Sequence, residues 1–242
     1  MADTYVLVHG AWHTGAEMEP VAQHLRDRGH TVHCPTLAGN RAGDDRATSG
    51  LTEAVQSVVE YLEKNDLRNV RLVGHSYGGM VISGVADRVP DRITRLVYWC
   101  AFVPLSGECL NDMVPPHYRA LFDEIAASNG NAVMLPYPIW REAFINDADA
   151  ALAQSAFDRL NLQPYRTFTE PVLLQSELAA KPMGKSYLLC TEDTAMPHSL
   201  PWHPRLSERL GLYRLVTCPG SHELCFTDPA LLARKMEEAG RD

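Results

Sequence analysis

The feature that most constrains this chain is a glycine-rich turn directly after an apolar run. Residues 70–79 read VRLVGHSYGG, so that Ser76 has Gly74 two positions before it and Gly78 two positions after it. Glycines at both positions permit a sharp strand–helix turn, because side chains there would collide. Such a turn lifts the serine hydroxyl clear of the strand end, which predicts a nucleophile at Ser76. The alternative is a glycine-rich turn with an incidental serine.

Composition indicates an ordinary globular protein and excludes several classes of partner. The 242 residues are 45% hydrophobic and 21% charged, which suits one domain with a full core. A net charge of -8 gives no basic surface for nucleic acid, and no apolar run reaches membrane-spanning length. The first strand starts almost at the N-terminus, and the six cysteines are scattered without a C-x-x-C pair. We therefore expect a cytoplasmic protein with reduced thiols.

Apolar runs alternate with helical periodicities in two parts of the chain. Strands are predicted at residues 5–9, 31–34, 70–73, 93–99, 186–190 and 213–218. Helices are predicted at residues 16–28, 51–65, from the serine turn through 89, at 206–210 and at 229–238. Strands that alternate with helices favour right-handed crossovers. The pattern thus predicts an α/β fold with a mostly parallel sheet of about six strands flanked by helices.

Between the two alternating parts lies a segment without the strand–helix alternation. Residues 104–182 carry prolines at their edges and breaks, with short helical stretches between them. These stretches are residues 118–127, 139–144, 148–160 and 171–180. We interpret residues 104–182 as a helical cap over the sheet, inserted into a core made of residues 1–103 and 183–242.

Polar residues follow the last two predicted strands, where parallel sheets collect their chemistry. Glu192 and Asp193 come after the strand at 186–190, and His222 comes after the strand at 213–218. A nucleophilic serine needs a base to take its proton and a carboxylate to orient that base. The chain order of serine, acid and histidine is the one expected for this kind of sheet. Alone, Asp193 would be interpreted as a solvated turn acid and His222 as a surface histidine.

An oxyanion site and an apolar pocket complete the prediction. The amide of Tyr77 begins a helix, and the loop after the first strand offers a second donor, the amide of Ala11. Aromatic residues near the insertion favour an apolar acyl or aryl pocket. We take Trp12, Phe102 and Trp140 as candidate substrate contacts. The histidines lack metal-ligand spacing, so no metal is expected. Acyl transfer to a serine needs no organic cofactor, and none is expected.

Four stretches of the chain resemble the α/β-hydrolase superfamily. They are VLVHGAWHTG, LVGHSYGG, TEDTAMP and GSHELCFTDPALL, and they span almost the whole chain. Within the superfamily, the chain is similar to small plant-type esterases and hydroxynitrile lyases, including methylesterases of salicylate and jasmonate esters. The resemblance implies an α/β-hydrolase fold with Ser76 as nucleophile, His222 as base and Asp193 as acid. It also implies an oxyanion hole formed by the amides of Ala11 and Tyr77.

Two departures from the lyases narrow the function. Lyases of this branch carry threonine after the first histidine and lysine after the catalytic histidine, whereas this chain has Gly10 and Glu223. Without the lysine no cation stabilises a leaving cyanide, so lyase chemistry is disfavoured. The sequence predicts a serine carboxylic-ester hydrolase that cleaves a small apolar or aromatic ester through an acyl-enzyme.

Other functions on the same fold stay open at this point. They are hydrolysis of a lactone, thioester or C–C bond, cyclisation of a secondary-metabolite intermediate, and ligand reception without catalysis. The expected partner is a small-molecule ester, with no nucleic acid and no membrane, and a homodimer is left open.

Overall fold

The apolar runs form one central sheet whose six strands are all parallel. The computed structural model describes residues 2–241. Within these residues the strands are β1 (Thr4–Val8), β2 (Thr31–His33), β3 (Val70–His75), β4 (Ile93–Trp99), β5 (Ala132–Val133), β6 (Gln163–Pro164), β7 (Gly184–Cys190) and β8 (Arg214–Cys218). The central sheet has the order β2-β1-β3-β4-β7-β8, and β5 and β6 form a separate antiparallel pair. The predicted parallel sheet of about six strands is confirmed.

Strand register brings the carboxyl ends of the central strands to one edge. Val8 of β1 pairs with Gly74 of β3, and His75 pairs with Trp99 of β4. On the far side of the sheet, the last residues of β7 and β8 pair with each other. The loops that follow these strands therefore start side by side, which places the predicted site residues at one edge of the sheet.

Helices cover both faces of the sheet. They are α1 (Glu19–Asp27), α2 (Leu51–Lys64), α3 (Gly78–Arg88), α4 (Pro116–Ser128), α5 (Tyr137–Ile139), α6 (Ala150–Phe157), α7 (Arg166–Thr169), α8 (Leu224–Thr227) and α9 (Pro229–Gly240). Because side chains alternate along a strand, Tyr5 and Leu7 pack in one cluster with α1 and α9, whereas Val6 and Val8 pack in the other with α2 and α3. Burial on both faces explains why a central strand such as β1 reads as a nearly continuous apolar run.

Several shorter elements differ from the predicted helices. The predicted helix at 171–180 is wrong: only Leu178–Ala180 forms a 3-10 turn. Glu170 precedes Pro171 and is extended, as residues before proline usually are. The N–H of Val172 then donates to the oxygen of Glu108 (3.0 Å), so this segment pairs with the loop after β4 instead of coiling. Further 3-10 turns lie at Gly15–Met18, Pro90–Arg92, Leu110–Asp112 and Ser207–Leu210, and a π turn lies at Trp140–Phe144.

The segment between β4 and β7 holds α4 to α7 and the β5–β6 pair. Its aromatic side chains Phe122, Phe144 and Phe168 all contact the ring of Trp12, which belongs to the loop after β1. Insertion and sheet thus share one apolar cluster on this side of the molecule. The division into a core and a cap at residues 104–182 stays a prediction. Within residues 2–241, no helix combines the length and the apolar character needed to cross a membrane.

Candidate active site

Ser76 lies on a strained turn between β3 and α3. Its φ is 53°, in the left-handed region that few residues other than glycine adopt. The N–H of Ser76 donates to the oxygen of Trp99 (3.2 Å), and the N–H of Phe102 donates to the oxygen of Ser76 (3.1 Å). A Cβ at Gly74 would lie 2.6 Å from the oxygen of Gly78, and one at Gly78 would lie 2.7 Å from a main-chain oxygen of β1. Both glycines are therefore required for the turn.

Asp193 and His222, from the loops after β7 and β8, are hydrogen bonded. The Nδ1 of His222 donates to Oδ2 of Asp193 at 2.6 Å, and both side chains are buried. Oδ1 of Asp193 accepts from the N–H of Ala195 at 2.8 Å, so both carboxylate oxygens have partners. With the proton on Nδ1, the Nε2 of a neutral His222 carries a free lone pair and can act as a base.

The electrostatic surroundings favour the imidazolium form of His222. Burial by itself lowers the pKa of His222, but the charge and the hydrogen bond of Asp193, with a further contribution from Glu223, raise the pKa above its ordinary value of 6.5. The carboxylate therefore stabilises the cation that forms when the ring accepts a proton.

The main chain and ring of His222 are held from several sides. Nε2 of His75 donates to the carbonyl oxygen of His222 (3.0 Å). The ring of Trp202 stacks on the imidazole at 5.4 Å between centroids, and Phe144 meets it edge-on at 5.3 Å. Burial, followed by the charge of His222, holds the pKa of His75 well below its ordinary value, so His75 is a neutral structural linker.

The loop after β1 faces Ser76 and presents the N–H of Ala11. Neither this N–H nor that of Tyr77 has a hydrogen-bond acceptor within residues 2–241. The peptide that carries the Ala11 N–H is fixed by His9, whose Nδ1 donates to the oxygen of Gly10 (2.8 Å). Nε2 of His9 accepts from the N–H of Leu37 (3.1 Å), which requires a neutral ring. Burial lowers the pKa of His9 to about 4, in agreement with this role.

Trp12 ties the same loop to the insertion. Its φ is 65°, and its main-chain N–H donates to Oε1 of Gln163 (3.0 Å). The indole Nε1 donates to the oxygen of Val133 (3.1 Å), and the Trp12 oxygen accepts from the N–H of Asn161 (2.6 Å). The loop that carries the Ala11 N–H is therefore anchored to the β5–β6 pair as well as to the sheet.

A cavity of about 380 Å³, its open mouth included, adjoins Ser76. It is lined by Ala11, Trp12, Ser76, Tyr77, Phe102, Leu110, Val114, Tyr118, Phe122, Phe144, Phe168, Ala195, Met196 and Trp202. The lining contains no charged side chain, and the walls are largely aromatic and aliphatic. The cavity therefore suits a small, uncharged apolar or aromatic group.

The structure separates the three predicted substrate contacts. Trp12 and Phe102 line the cavity beside Ser76, as do the residues of the two predicted oxyanion donors. Trp140 lies one layer behind: its ring packs against Phe144 (6.3 Å), and its Nε1 donates to the oxygen of Ala153 (3.1 Å). Trp140 thus supports the wall that Phe144 forms.

Most of the cavity wall was not predicted residue by residue. Phe144, Phe168 and Trp202 belong to the aromatic residues in and beside the insertion from which the pocket was predicted, whereas sequence reasoning missed Leu110, Val114, Tyr118, Phe122, Ala195 and Met196. One usable signal was the i, i+4 pair Tyr118 and Phe122 on α4, whose parallel rings lie 5.8 Å apart.

Two groups of side chains within residues 2–241 have ligand atoms close enough to hold a metal ion. One group is His75, His222 and Glu223, and the other is Cys100, Asp193 and His222. Both groups need His222. In the second, a metal at Nδ1 would replace the proton that this nitrogen donates to Asp193.

The family assignment agrees with this geometry. The model of the alpha/beta hydrolase family matches residues 5–235. The chain belongs to the alpha/beta hydrolase family. It thus has the α/β-hydrolase fold, as predicted.

Several relatives are similar over most of the chain. A carbendazim hydrolyzing esterase of Nocardioides sp. (strain SG-4G) is 34% identical, covering 98% of this chain and 99% of its own. Salicylic acid-binding protein 2 of Nicotiana tabacum is 25% identical over 80% of each chain. The structure of an extracellular alpha/beta-hydrolase from Paenibacillus, described as sharing structural and functional homology with the tobacco protein, has 37% identity. Its TM-score is 0.95, with 99% of this chain and 100% of that chain covered. The predicted resemblance to the plant-type branch is confirmed, and this alpha/beta hydrolase is an enzyme of the ester-cleaving class.

Proposed function

We propose that this alpha/beta hydrolase is a serine carboxylic-ester hydrolase that uses Ser76, His222 and Asp193 as a catalytic triad. One observation carries the proposal: the Asp193–His222 hydrogen bond of 2.6 Å is formed in loops at the same sheet edge as Ser76, whose φ of 53° marks a strained nucleophile turn. Strain of this kind is maintained only where the surroundings enforce it, and it is concentrated at active sites.

The reaction proceeds by two acyl transfers. His222 Nε2 takes the hydroxyl proton as Ser76 attacks the ester carbonyl, and the resulting oxyanion accepts hydrogen bonds from the N–H groups of Ala11 and Tyr77. The imidazolium then protonates the leaving alcohol, which departs and leaves the acyl group on Ser76. In the second half, His222 takes a proton from water, the water attacks the acyl-enzyme, and the serine leaves with the proton. Asp193 holds the imidazole in the Nδ1–H tautomer throughout.

The cavity supports an uncharged apolar or aromatic ester as substrate. A carboxylate or ammonium group would lose its hydration against walls that offer no charged partner. The relative named for hydrolysis of carbendazim places that compound in the substrate panel. We expect p-nitrophenyl esters of short and aromatic acids to be cleaved faster than the matched ester of an acid with a second, ionised carboxylate.

The direct test is Ser76→Ala. We expect the variant to fold normally, to lose several orders of magnitude of p-nitrophenyl acetate turnover and to lose labelling by a fluorophosphonate probe. Ser128→Ala removes an exposed hydroxyl at the end of α4 and serves as the matched control with wild-type turnover and labelling. Near wild-type turnover of Ser76→Ala would disprove the assignment.

A panel of other substrates, tested with wild-type protein and Ser76→Ala, separates the rival functions on this fold. Turnover of a lactone or thioester above that of every ester, still dependent on Ser76, would replace the ester substrate without changing the triad. The same outcome with a C–C bond substrate or a cyclisation product would identify that chemistry. Failure of the fluorophosphonate probe to label wild-type protein would support a ligand receptor. Cyanide release from a cyanohydrin would support a lyase, despite Glu223 at the position of the lyase lysine.

We further propose a cytoplasmic location. The six cysteines are all free thiols in the structure, which supports a reducing compartment. One structural relative is described as extracellular, so secretion is the alternative. Fractionation of the source cells, with the activity followed in medium and lysate, distinguishes the two.

A further inference from the structure

Glu223 is a buried carboxylate that the reaction above does not use. It follows His222 directly, its side chain is 2% exposed, and it does not line the cavity. Its Oε2 lies 3.4 Å from Nε2 of His13 and 3.7 Å from Sγ of Cys225. Burial raises the pKa of Glu223, and the nearby His13 opposes that effect. A buried carboxylate destabilises the fold unless it has a partner, and the contact with His13 supplies one.

His13 connects this carboxylate to the loop that carries the oxyanion donor. Its Nδ1 donates to the carbonyl oxygen of Ala11 at 2.6 Å. The other ring nitrogen, Nε2, is buried without a hydrogen-bond partner and faces Oε2 of Glu223 at 3.4 Å.

We propose that Glu223 and His13 form a positioning pair that fixes the peptide between Ala11 and Trp12, directly after the oxyanion donor Ala11 N–H, and joins it to the loop of His222. The inference rests on the proposed function and deepens it. His13 holds the Ala11 carbonyl while Gln163 holds the N–H of the same peptide, so the loop cannot rotate there without breaking one bond. Oε2 of Glu223 lies 3.4 Å from the other ring nitrogen of His13, a polar contact that favours this orientation of the ring.

The pair acts on catalysis through preorganisation. A donor already aimed at the developing charge needs no reorganisation during the reaction, and loss of one such donor costs about 10²–10³ in rate. Loosening the peptide between Ala11 and Trp12 should displace the neighbouring Ala11 N–H only in part. We therefore expect kcat to fall about 10- to 100-fold. The oxyanion donors stabilise the transition state more than the bound substrate, which is held by the apolar cavity. KM should therefore change little.

The pair also acts electrostatically on the base. Besides His13, the titratable groups that interact with Glu223 are His222, Asp193 and Cys225, and His75 faces the same group of side chains. An ionised Glu223 contributes to the raised pKa of His222. Any neutral replacement of Glu223 should therefore move the acid limb of kcat/KM to lower pH, whether or not positioning is preserved.

The experiment compares Glu223→Met, Glu223→Gln and His13→Ala in the full chain. Methionine fills a similar volume but removes the polar group that faces Nε2 of His13, whereas glutamine retains the shape and keeps a polar group there. We expect Glu223→Met and His13→Ala to lower kcat 10- to 100-fold with KM within about threefold. Both should weaken a phenylboronic acid inhibitor, whose serine adduct places an oxygen in the oxyanion site, by a similar factor. Glu223→Gln should retain kcat within about threefold and still shift the acid limb.

Coupling is measured by the double variant His13→Ala with Glu223→Met. Residues that act as one unit give non-additive losses, so the double variant should lose no more than either single variant. His117→Ala removes an exposed histidine from α4 and controls for histidine removal in general. If Glu223→Met and His13→Ala lower only thermal stability, with kcat and inhibitor affinity unchanged, the positioning role is wrong. An active Ser76→Ala would instead overturn the proposed function itself.

Discussion

Replacement of Asp193 by asparagine removes one charge and no volume from the site, and the structure predicts how the new amide orients. Oδ1 of Asp193 accepts the N–H of Ala195, so the asparagine oxygen should occupy that position. Its NH₂ group would then face Nδ1 of His222, where the carboxylate accepted a proton before. An NH₂ donor stabilises the tautomer with the proton on Nε2, and this tautomer cannot accept the serine proton.

The size of the effect follows from the tautomer and the charge together. Loss of the equivalent orientation in a serine triad lowers kcat about 10⁴-fold, or about 5 kcal/mol in activation free energy. The loss of charge acts in the same direction, since the burial that already lowers the pKa of His222 would no longer be offset by Asp193. The imidazolium formed during the reaction thus loses its main stabilising partner.

The assay is kcat and kcat/KM for p-nitrophenyl acetate with Asp193→Asn, accompanied by circular dichroism to verify folding. Glu192→Gln is the matched control, because Glu192 is the neighbouring carboxylate, is exposed and has no role in the proposed reaction. We expect wild-type rates from the control. A loss below about tenfold in Asp193→Asn, or an equal loss in the control, would refute the reasoning about tautomer and charge.

Three shorter predictions follow from the same geometry. The kcat/KM of the wild-type enzyme should fall on the acid side with a midpoint above 6.5, because the pKa of His222 is raised and only the neutral ring accepts a proton; a midpoint at or below 6.5 contradicts this. Val114→Trp should raise KM for aryl esters at least tenfold by filling the cavity, whereas Leu173→Trp, at an exposed side chain outside it, should not. Gly79→Ala places a Cβ 2.1 Å from the oxygen of Phe102 and should lower the melting temperature by several degrees, measured by differential scanning calorimetry.

The fold was predictable wherever one local pattern decided the structure. The strand at 93–99 was predicted with its observed bounds, because Ile93–Trp99 is rich in branched and aromatic residues and follows the stop at Pro90. Helices α2 and α3 were predicted within a residue or two of their ends, since apolar periodicity and the stop at Pro90 both indicate them. In the insertion, pairing with distant segments decides, and the helix expected at 171–180 gives way to main-chain bonds with residues 107–108.

Some residues of the candidate site could be predicted from the sequence, and others are apparent only in the structure. Candidates such as Ser76 and His222 follow strands directly, so topology alone predicts that they meet at one edge. The cavity lining cannot be predicted in this manner, because Val114, Phe168 and Trp202 come from segments that meet only after the insertion folds over the sheet. The 3.4 Å contact between His13 and Glu223 joins residues 210 positions apart, and neither spacing nor periodicity indicates it.

Burial and partners explain how one residue type serves both as base and as structural linker in this site. His9 and His75 are buried without a carboxylate partner on either ring nitrogen, so desolvation lowers their pKa values and leaves them neutral. Each then donates one N–H to a main-chain oxygen and fixes a loop that the reaction needs. His222 is equally buried, but Asp193 lies 2.6 Å from its Nδ1 and reverses the direction of the pKa shift. In the proposed mechanism, the carboxylate therefore determines which histidine accepts the proton of Ser76, and this contact between distant loops cannot be deduced from composition.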